Sequence, residues 1–311
     1  MAKLQYYATL AKKAVSFSQT PDAVQSFAID YAYQFKDWYD EMTALIKRQP
    51  LGNFFRGAGE ARYKLYNSAQ RFWMQNNLTQ LEAISQPLSY IQMIQNMVDN
   101  SKELPLFRRV FDYYGLEPEQ TDFPILSILQ HYGAPTPLMD WTYNLDVALY
   151  FAAEQATHFE REGDIGNYLS VYRIVKDDGS TFIQSNLQVV SGNVFPSISF
   201  LTTNWPSNVY YISDFEVKDQ RQIKPLTTFY NLNILPQEGL FVFSPHETDP
   251  LEHVAATQDP GHKIICYNIN KDLAEMIRLT TNKSGVNQSF IYPDLKTFAG
   301  NVLKEYLRGL V

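Results

Sequence analysis

"LQHYGAPTPLMDWTYNLDVALYFAAE", residues 129–154, decides how this chain is read. Its first half gathers His131, Thr136, Asp140, Trp141 and Thr142 around Gly133, Pro135 and Pro137. Proline lacks the backbone donor and clashes with the preceding turn, so a helix is excluded and a sharply shaped loop is expected. The second half reads as a helix start, with Asn144 as cap and Asp146 in the first turn, where a carboxylate meets unpaired N–H groups. The run 147–153 is apolar on every side, as a buried helix requires. A loop feeding a helix N-terminus offers backbone donors to an anion. Asp140 and Thr142 can equally serve local backbone groups, as such residues do in turns.

Two further stretches belong with it. In "NFFRG", residues 53–57, a strand would place Phe55 and Gly57 on one face and Phe54 and Arg56 on the other. A guanidinium beside aromatic rings suits bidentate binding of a carboxylate or phosphate, and Gly57 lets a ligand or another backbone approach. The plainer alternative is an arginine paired with a carboxylate such as Asp140. In "LPQEGLFVF", residues 235–243, Gln237 and Glu238 stand just before a strand, with Gln237 and Gly239 facing one way and Glu238 the other. A glutamate at a strand edge near a cleft can orient a ribose hydroxyl or stabilise a cation-like transition state.

The chain has 311 residues, 45% of them hydrophobic and 19% charged, with a net charge of -7. That supplies ample core and argues against a protein whose main business is coating nucleic acid, so no generic nucleic-acid binding is expected. The single cysteine, Cys266, excludes an internal disulfide and reads as a buried small hydrophobe. No signal-like segment and no run long enough to cross a membrane is seen, so no membrane partner and a cytoplasmic location are expected.

Along the chain, residues 20–48 read as the clearest helix. Thr20 caps it, Pro21 and Asp22 follow, and Val24, Ala28, Tyr31, Phe35, Trp38, Met42 and Leu45 form a heptad-like seam. That seam packs on its own domain or joins a second copy or another protein. Residues 60–118 are rich in helix formers, with a helix opening at Ser85 or Gln86 and carrying Leu88, Ile91, Ile94, Met97 and Val98. After residue 165, "NYLSVYRIVK", "GLFVFSP" and "KIICYNI" read as strands, with a turn at Asp177-Asp178-Gly179. Asn270 caps a helix reaching about Leu279, and a last helix begins near Asp294. The expected fold is α+β: a helical extension over 1–49, then one large domain over 50–311 with a mainly antiparallel sheet.

Taken together these pieces resemble the FRG domain family, named for a Phe-Arg-Gly motif seen here as Phe55-Arg56-Gly57. "LYNSAQRFW" is similar to the family's Leu-x-Pro-Ser-x-x-Arg segment through Leu65, Ser68 and Arg71, with Asn67 in place of proline. The central block matches the family signature at His131, Gly133, Pro135, Thr136, Asp140, Trp141 and Thr142, and again at Ala148, Leu149, Phe151 and Ala152. "QEGLF" and "IYPDLKTFAGNV" resemble its later elements. Pro137 stands where the family usually has arginine, which removes a cation, and Met139 where it has leucine.

A more distant similarity is one of motif order. ADP-ribosyltransferases use an early arginine, a Ser/Thr-containing strand leading into a helix, and a late Glu or Gln. That similarity implies NAD as cofactor, with Arg56 on its phosphate, Thr136 or Thr142 on the ribose and Trp141 or Tyr132 stacked on nicotinamide. Glu238, or Gln237, would then stabilise the oxocarbenium-like transition state. Candidate ligand-binding residues are therefore Arg56, Gly57, Arg71, His131, Tyr132, Thr136, Asp140, Trp141 and Thr142. Candidate catalytic residues are Arg56, Gln237 and Glu238. The residues admit three readings: an ADP-ribosyltransferase-like enzyme or NAD glycohydrolase, a non-catalytic module binding a small anionic ligand, nucleotide or protein, and a buried polar network that shapes the fold.

Overall fold

The structure is a computed structural model, and it describes residues 3–18, 24–49, 52–78, 89–114, 121–156, 164–175, 197–204, 207, 209–213, 215–218, 220–223, 234, 236–258 and 263–293. In chain order the helices are α1 (Leu10–Ser18), α2 (Ala32–Arg48), α3 (Ser68–Gln75), α4 (Tyr90–Lys102), α5 (Pro105–Tyr114), α6 (Asp122–His131), α7 (Leu145–Glu154), α8 (Ile198–Asn204), α9 (Leu251–Gln258), α10 (Ala274–Lys283) and α11 (Gln288–Ile291). The strands are β1 (Val24–Ile29), β2 (Asn53–Ala58), β3 (Leu138–Thr142), β4 (Tyr168–Val175), β5 (Tyr210–Ser213), β6 (Phe215–Lys218), β7 (Gln220–Ile223), β8 (Gly239–Phe243) and β9 (Lys263–Asn270). Seven strands form one sheet in the order β1-β9-β4-β2-β3-β8-β5, and β6 pairs with β7. Only the β1–β9 contact in the large sheet is parallel; the other pairs are antiparallel. The fold is α+β.

Helices cover both faces, so the central strands are largely buried on both sides rather than alternating between core and solvent. Alternation survives in where each side chain goes. Phe54, Tyr172 and Ile174 pack on one side with Tyr7, Leu251 and Val254. Phe55, Leu169 and Val171 pack on the other with Phe35, Trp38 and residues of α7. A third cluster gathers α3, α4, α5, α6 and α8 over the β3–β8 end of the sheet.

Residues 24–29 correct the expected helix over 20–48. They are strand β1, paired with β9 from Val24↔Ile264 to Ile29↔Ile269. "VQSFAI" follows helical spacing and not strict alternation, and six residues of tertiary pairing override so weak a local preference. The helix begins only at Ala32, after Tyr31 in extended conformation (φ -124°, ψ 152°). From there the seam holds, since Phe35, Trp38 and Met42 are buried within the chain. Thr20, Pro21 and Asp22 lie outside the described residues, as do the Asp177–Gly179 turn and the closing helix from Asp294.

The central block is also corrected in part. Only residues 132–137 are irregular: α6 runs on through His131, and Leu138–Thr142 is strand, not loop. Gly133 supplies the left-handed turn (φ +82°) that joins them. Elsewhere the local chemistry works as read. Asn144 caps α7, accepting from the backbone N–H groups of Asp146 and Val147 at 3.0 and 3.4 Å. Asn270 accepts from the N–H of Asp272 at 3.0 Å and opens a short 3-10 turn that leads into α10. Asn67, the residue in place of proline, caps α3 by accepting from the Gln70 N–H at 2.8 Å, while Gln70 Oε1 accepts from the Asn67 N–H at 2.9 Å.

A buried polar cluster, unread in the sequence, ties α1 and α9 to the sheet. Lys13 is fully buried, and its Nζ donates to the Ala61 carbonyl (2.8 Å), Ser170 Oγ (2.9 Å) and Tyr172 Oη (3.0 Å). Glu252 accepts from Tyr7 Oη at 2.7 Å and from the Leu65 N–H at 3.1 Å. All three ammonium hydrogens thus have acceptors, which such burial demands. Burial lowers the Lys13 pKa and raises that of Glu252. Among the described residues no helix is long and apolar enough to cross a membrane.

Candidate functional site

The candidate site begins where two strands part. β2 and β3 pair at a single position, Phe55↔Thr142, whereas β2 pairs with β4 at six positions from Asn53↔Val175 to Ala58↔Ser170. Beyond that one pair the Arg56 guanidinium reaches over and Nη1 donates to the Asp140 carbonyl. A side chain thereby supplies the bond that the strand ladder does not make.

The cleft between the strands has a volume of about 340 Å³. One wall is polar: Arg56 from β2, Gln130 and His131 from the end of α6, and Asp140 and Thr142 from β3, with Gln237 at the far side. The other is largely apolar, made of Val147, Ala148 and Phe151 on one face of α7, with Tyr292 after α11. The rings of Phe151 and Tyr292 meet edge to face, 6.4 Å between centroids.

Gly57 sits under this wall because nothing larger fits. A Cβ there would lie 1.9 Å from the Ala148 carbonyl oxygen and 2.7 Å from the Ala152 nitrogen. Its role is close approach of a helix backbone to the strand, which fixes α7 against the site.

Arg56 is half-buried, and loss of water lowers its pKa, opposed by the nearby Asp140 charge. It remains a cation at neutral pH, since arginine is effectively always protonated. The expected pairing of Arg56 with the Asp140 carboxylate is not the one formed. That carboxylate accepts from Gln130 Nε2 at 3.0 Å. Gln130 Oε1 in turn accepts from Thr136 Oγ1, and Ser68 Oγ lies 2.9 Å from the Thr136 N–H that it accepts. Ser68 of the "LYNSAQRFW" segment and Thr136 of the central block are thereby joined into one network behind Asp140. The Arg56 guanidinium makes no second hydrogen bond among the described residues.

The remaining candidates fall in distinct places. Thr142 lines the cleft but is engaged, donating to the Gln237 carbonyl at 2.5 Å and accepting from the Asn144 N–H at 2.9 Å. Thr136 is fully buried and shapes the loop. Trp141 borders the cleft, yet only 2% of it is exposed and its ring packs into the core with Met139 and Tyr143. Tyr132 is 80% exposed, stands edge to face with His131 at 4.9 Å, and is outside the cleft lining. Gln237 lines the cleft and donates to the Ile291 carbonyl at 3.0 Å. Glu238, in the left-handed region (φ +46°), is outside the lining; it accepts from Asn144 Nδ2 at 3.3 Å. Arg71 is exposed on α3, and its Nη1 donates to the Tyr66 carbonyl at 2.5 Å. Pro137 is buried and is not part of the lining.

Sequence reasoning missed Gln130, Val147, Phe151, Gln155 and Tyr292. For Val147, Phe151 and Gln155 the signal was present, because the four-residue spacing puts them on one helix face. Tyr292 carries no such signal.

Fold and cleft together describe an α+β protein with a mixed polar and apolar cleft centred on one arginine. Residues 52–161, from β2 through α7, match the model of the FRG domain family, so the FRG domain is present over that span. The matched span holds Arg56, Arg71, the whole central block and the apolar face of α7; Gln237 and Tyr292 lie beyond it. No curated protein and no solved structure matches the chain.

Proposed function

We propose that the cleft binds a small anionic ligand of nucleotide type. Its phosphate lies on Arg56, its hydroxyls face Asp140, and its flat ring rests against Phe151 and Tyr292. The observation that carries this reading is the state of Arg56. It is a half-buried cation, fixed by one backbone carbonyl and not by a carboxylate, in a cleft of about 340 Å³. A guanidinium held that way keeps donors for an anion without reorganising. Structural arginines of the alternative kind are paired to their carboxylate, and here Gln130 occupies it.

Catalysis on NAD is the second reading, favoured by one observation: Arg56, Thr142 and Gln237 line the same cleft. In that reading Gln237 is the late polar residue beside the leaving nicotinamide, and Glu238 supports the cap of α7 through Asn144. Both readings meet one experiment, thermal-shift and calorimetric titration with AMP, ADP-ribose and NAD, followed by a nicotinamide-release assay. AMP is expected to raise the melting temperature, and Arg56→Ala to weaken its binding about 10-fold or more, the loss of a charge-assisted pair. No shift with any of the three overturns the binding reading, and binding of NAD without nicotinamide release overturns the catalytic one.

A further inference from the structure

A second arginine, Arg71, is not part of the cleft lining but sits on a helix tied to the cleft's polar wall. Ser68 and Arg71 are three residues apart on α3 and so share one helix face. Ser68 is bonded to the Thr136–Gln130 pair, and Gln130 lines the cleft and holds Asp140. The face of α3 that carries Arg71 is thereby fixed beside the polar wall. Arg71 is anchored as Arg56 is, by one donor to a backbone carbonyl, that of Tyr66. Among the described residues it forms no ion pair. Its environment records its neighbours: loss of water lowers its pKa, the Arg56 charge lowers it further, and Asp140, Tyr6 and Tyr63 act against these.

Two guanidiniums that repel each other share one carboxylate, that of Asp140, so the pair keeps an excess of positive charge that a bound anion would offset. Just outside, Tyr6 and Tyr63 are 56% and 44% exposed with ring centroids 6.0 Å apart, and Arg71 feels both. A single phosphate on Arg56 leaves Arg71 and this outer aromatic pair unused.

We infer that the ligand carries two linked phosphates, one on Arg56 inside the cleft and the next on Arg71 outside its lining. The inference rests on the binding reading above and narrows it to diphosphate-bearing nucleotides. Arg71 reads the second phosphate only, so it discriminates by ligand length and not by ring.

The test compares AMP with ADP by calorimetry on the full chain. ADP is expected to bind about 10-fold more tightly than AMP, the worth of one further charge-assisted contact. Arg71→Ala is expected to abolish that preference while leaving AMP binding in place, and Arg56→Ala to weaken both. Equal affinity for AMP and ADP in the unaltered protein overturns the inference and leaves the binding reading standing; that arm needs no variant to fold. An Arg71→Ala protein that melts normally and loses AMP and ADP binding equally also overturns it. Failure of both nucleotides to bind overturns the inference together with the reading beneath it.

Discussion

A charged side chain taken out of water must change its partners or its protonation, and Glu252 does both. Its acceptors are filled by Tyr7 and the Leu65 N–H, yet burial outweighs these bonds and the distant Lys13 charge, leaving its pKa above the ordinary 4.5. Above 4.5 the unfolded chain has released this proton while the folded state still holds it. By linkage, stability then falls as pH rises through that interval. Glu252→Gln does not titrate, so the stability of the natural protein relative to this variant is expected to fall as pH rises above 4.5, read from urea midpoints at each pH. A difference that grows with pH would mean that attraction to Lys13 outweighs burial. Nothing in "PLEHVAA" announces this burial, because a glutamate beside a histidine on a helix reads as a solvated face. Arg56 and Asp140 were legible as neighbours. Which atoms meet was not, since spacing brings residues together without saying that Gln130 will take the carboxylate.

At the scale of elements, α7 and β2 act as one unit. The Asn144 cap and the apolar run after it were legible because both are local: a side-chain acceptor before a helix and a length of sequence without polar residues. The packing of α7 onto β2 depends on Gly57, where a Cβ would meet helix backbone, which cannot swing aside as a flexible side chain can. Gly57→Ala is expected to cost about 3 kcal/mol, the upper range for overpacking, measured as a shift in denaturant midpoint. A loss near zero would show that α7 can lift from the sheet. The strand β1 was not legible, because the six residues of "VQSFAI" lack strict alternation and fit the helical seam. Their partner β9 lies far along the chain, and only that partner makes them a strand.

On the scale of the whole molecule, that same pairing binds the segment before residue 50 into the sheet that carries the site. Lys13 of α1 adds to this attachment through Ala61 and Ser170. Removing residues 1–30 would strip β9 of a neighbour along six paired positions and leave a row of unpaired backbone groups. The truncated protein is expected to aggregate or to lose its cooperative transition, followed by size-exclusion chromatography and urea unfolding. A monomeric product with an unchanged midpoint would show that β1 is dispensable.

The register Val24↔Ile264 also has a consequence in time. During synthesis β1 emerges long before the strand it pairs with, and closing so long a loop must precede the reward of pairing. Until β9 arrives, its apolar, strand-forming sequence has no correct partner. Slow completion of the sheet, and exposure to wrong pairing while it waits, follow from where these two strands lie in the chain.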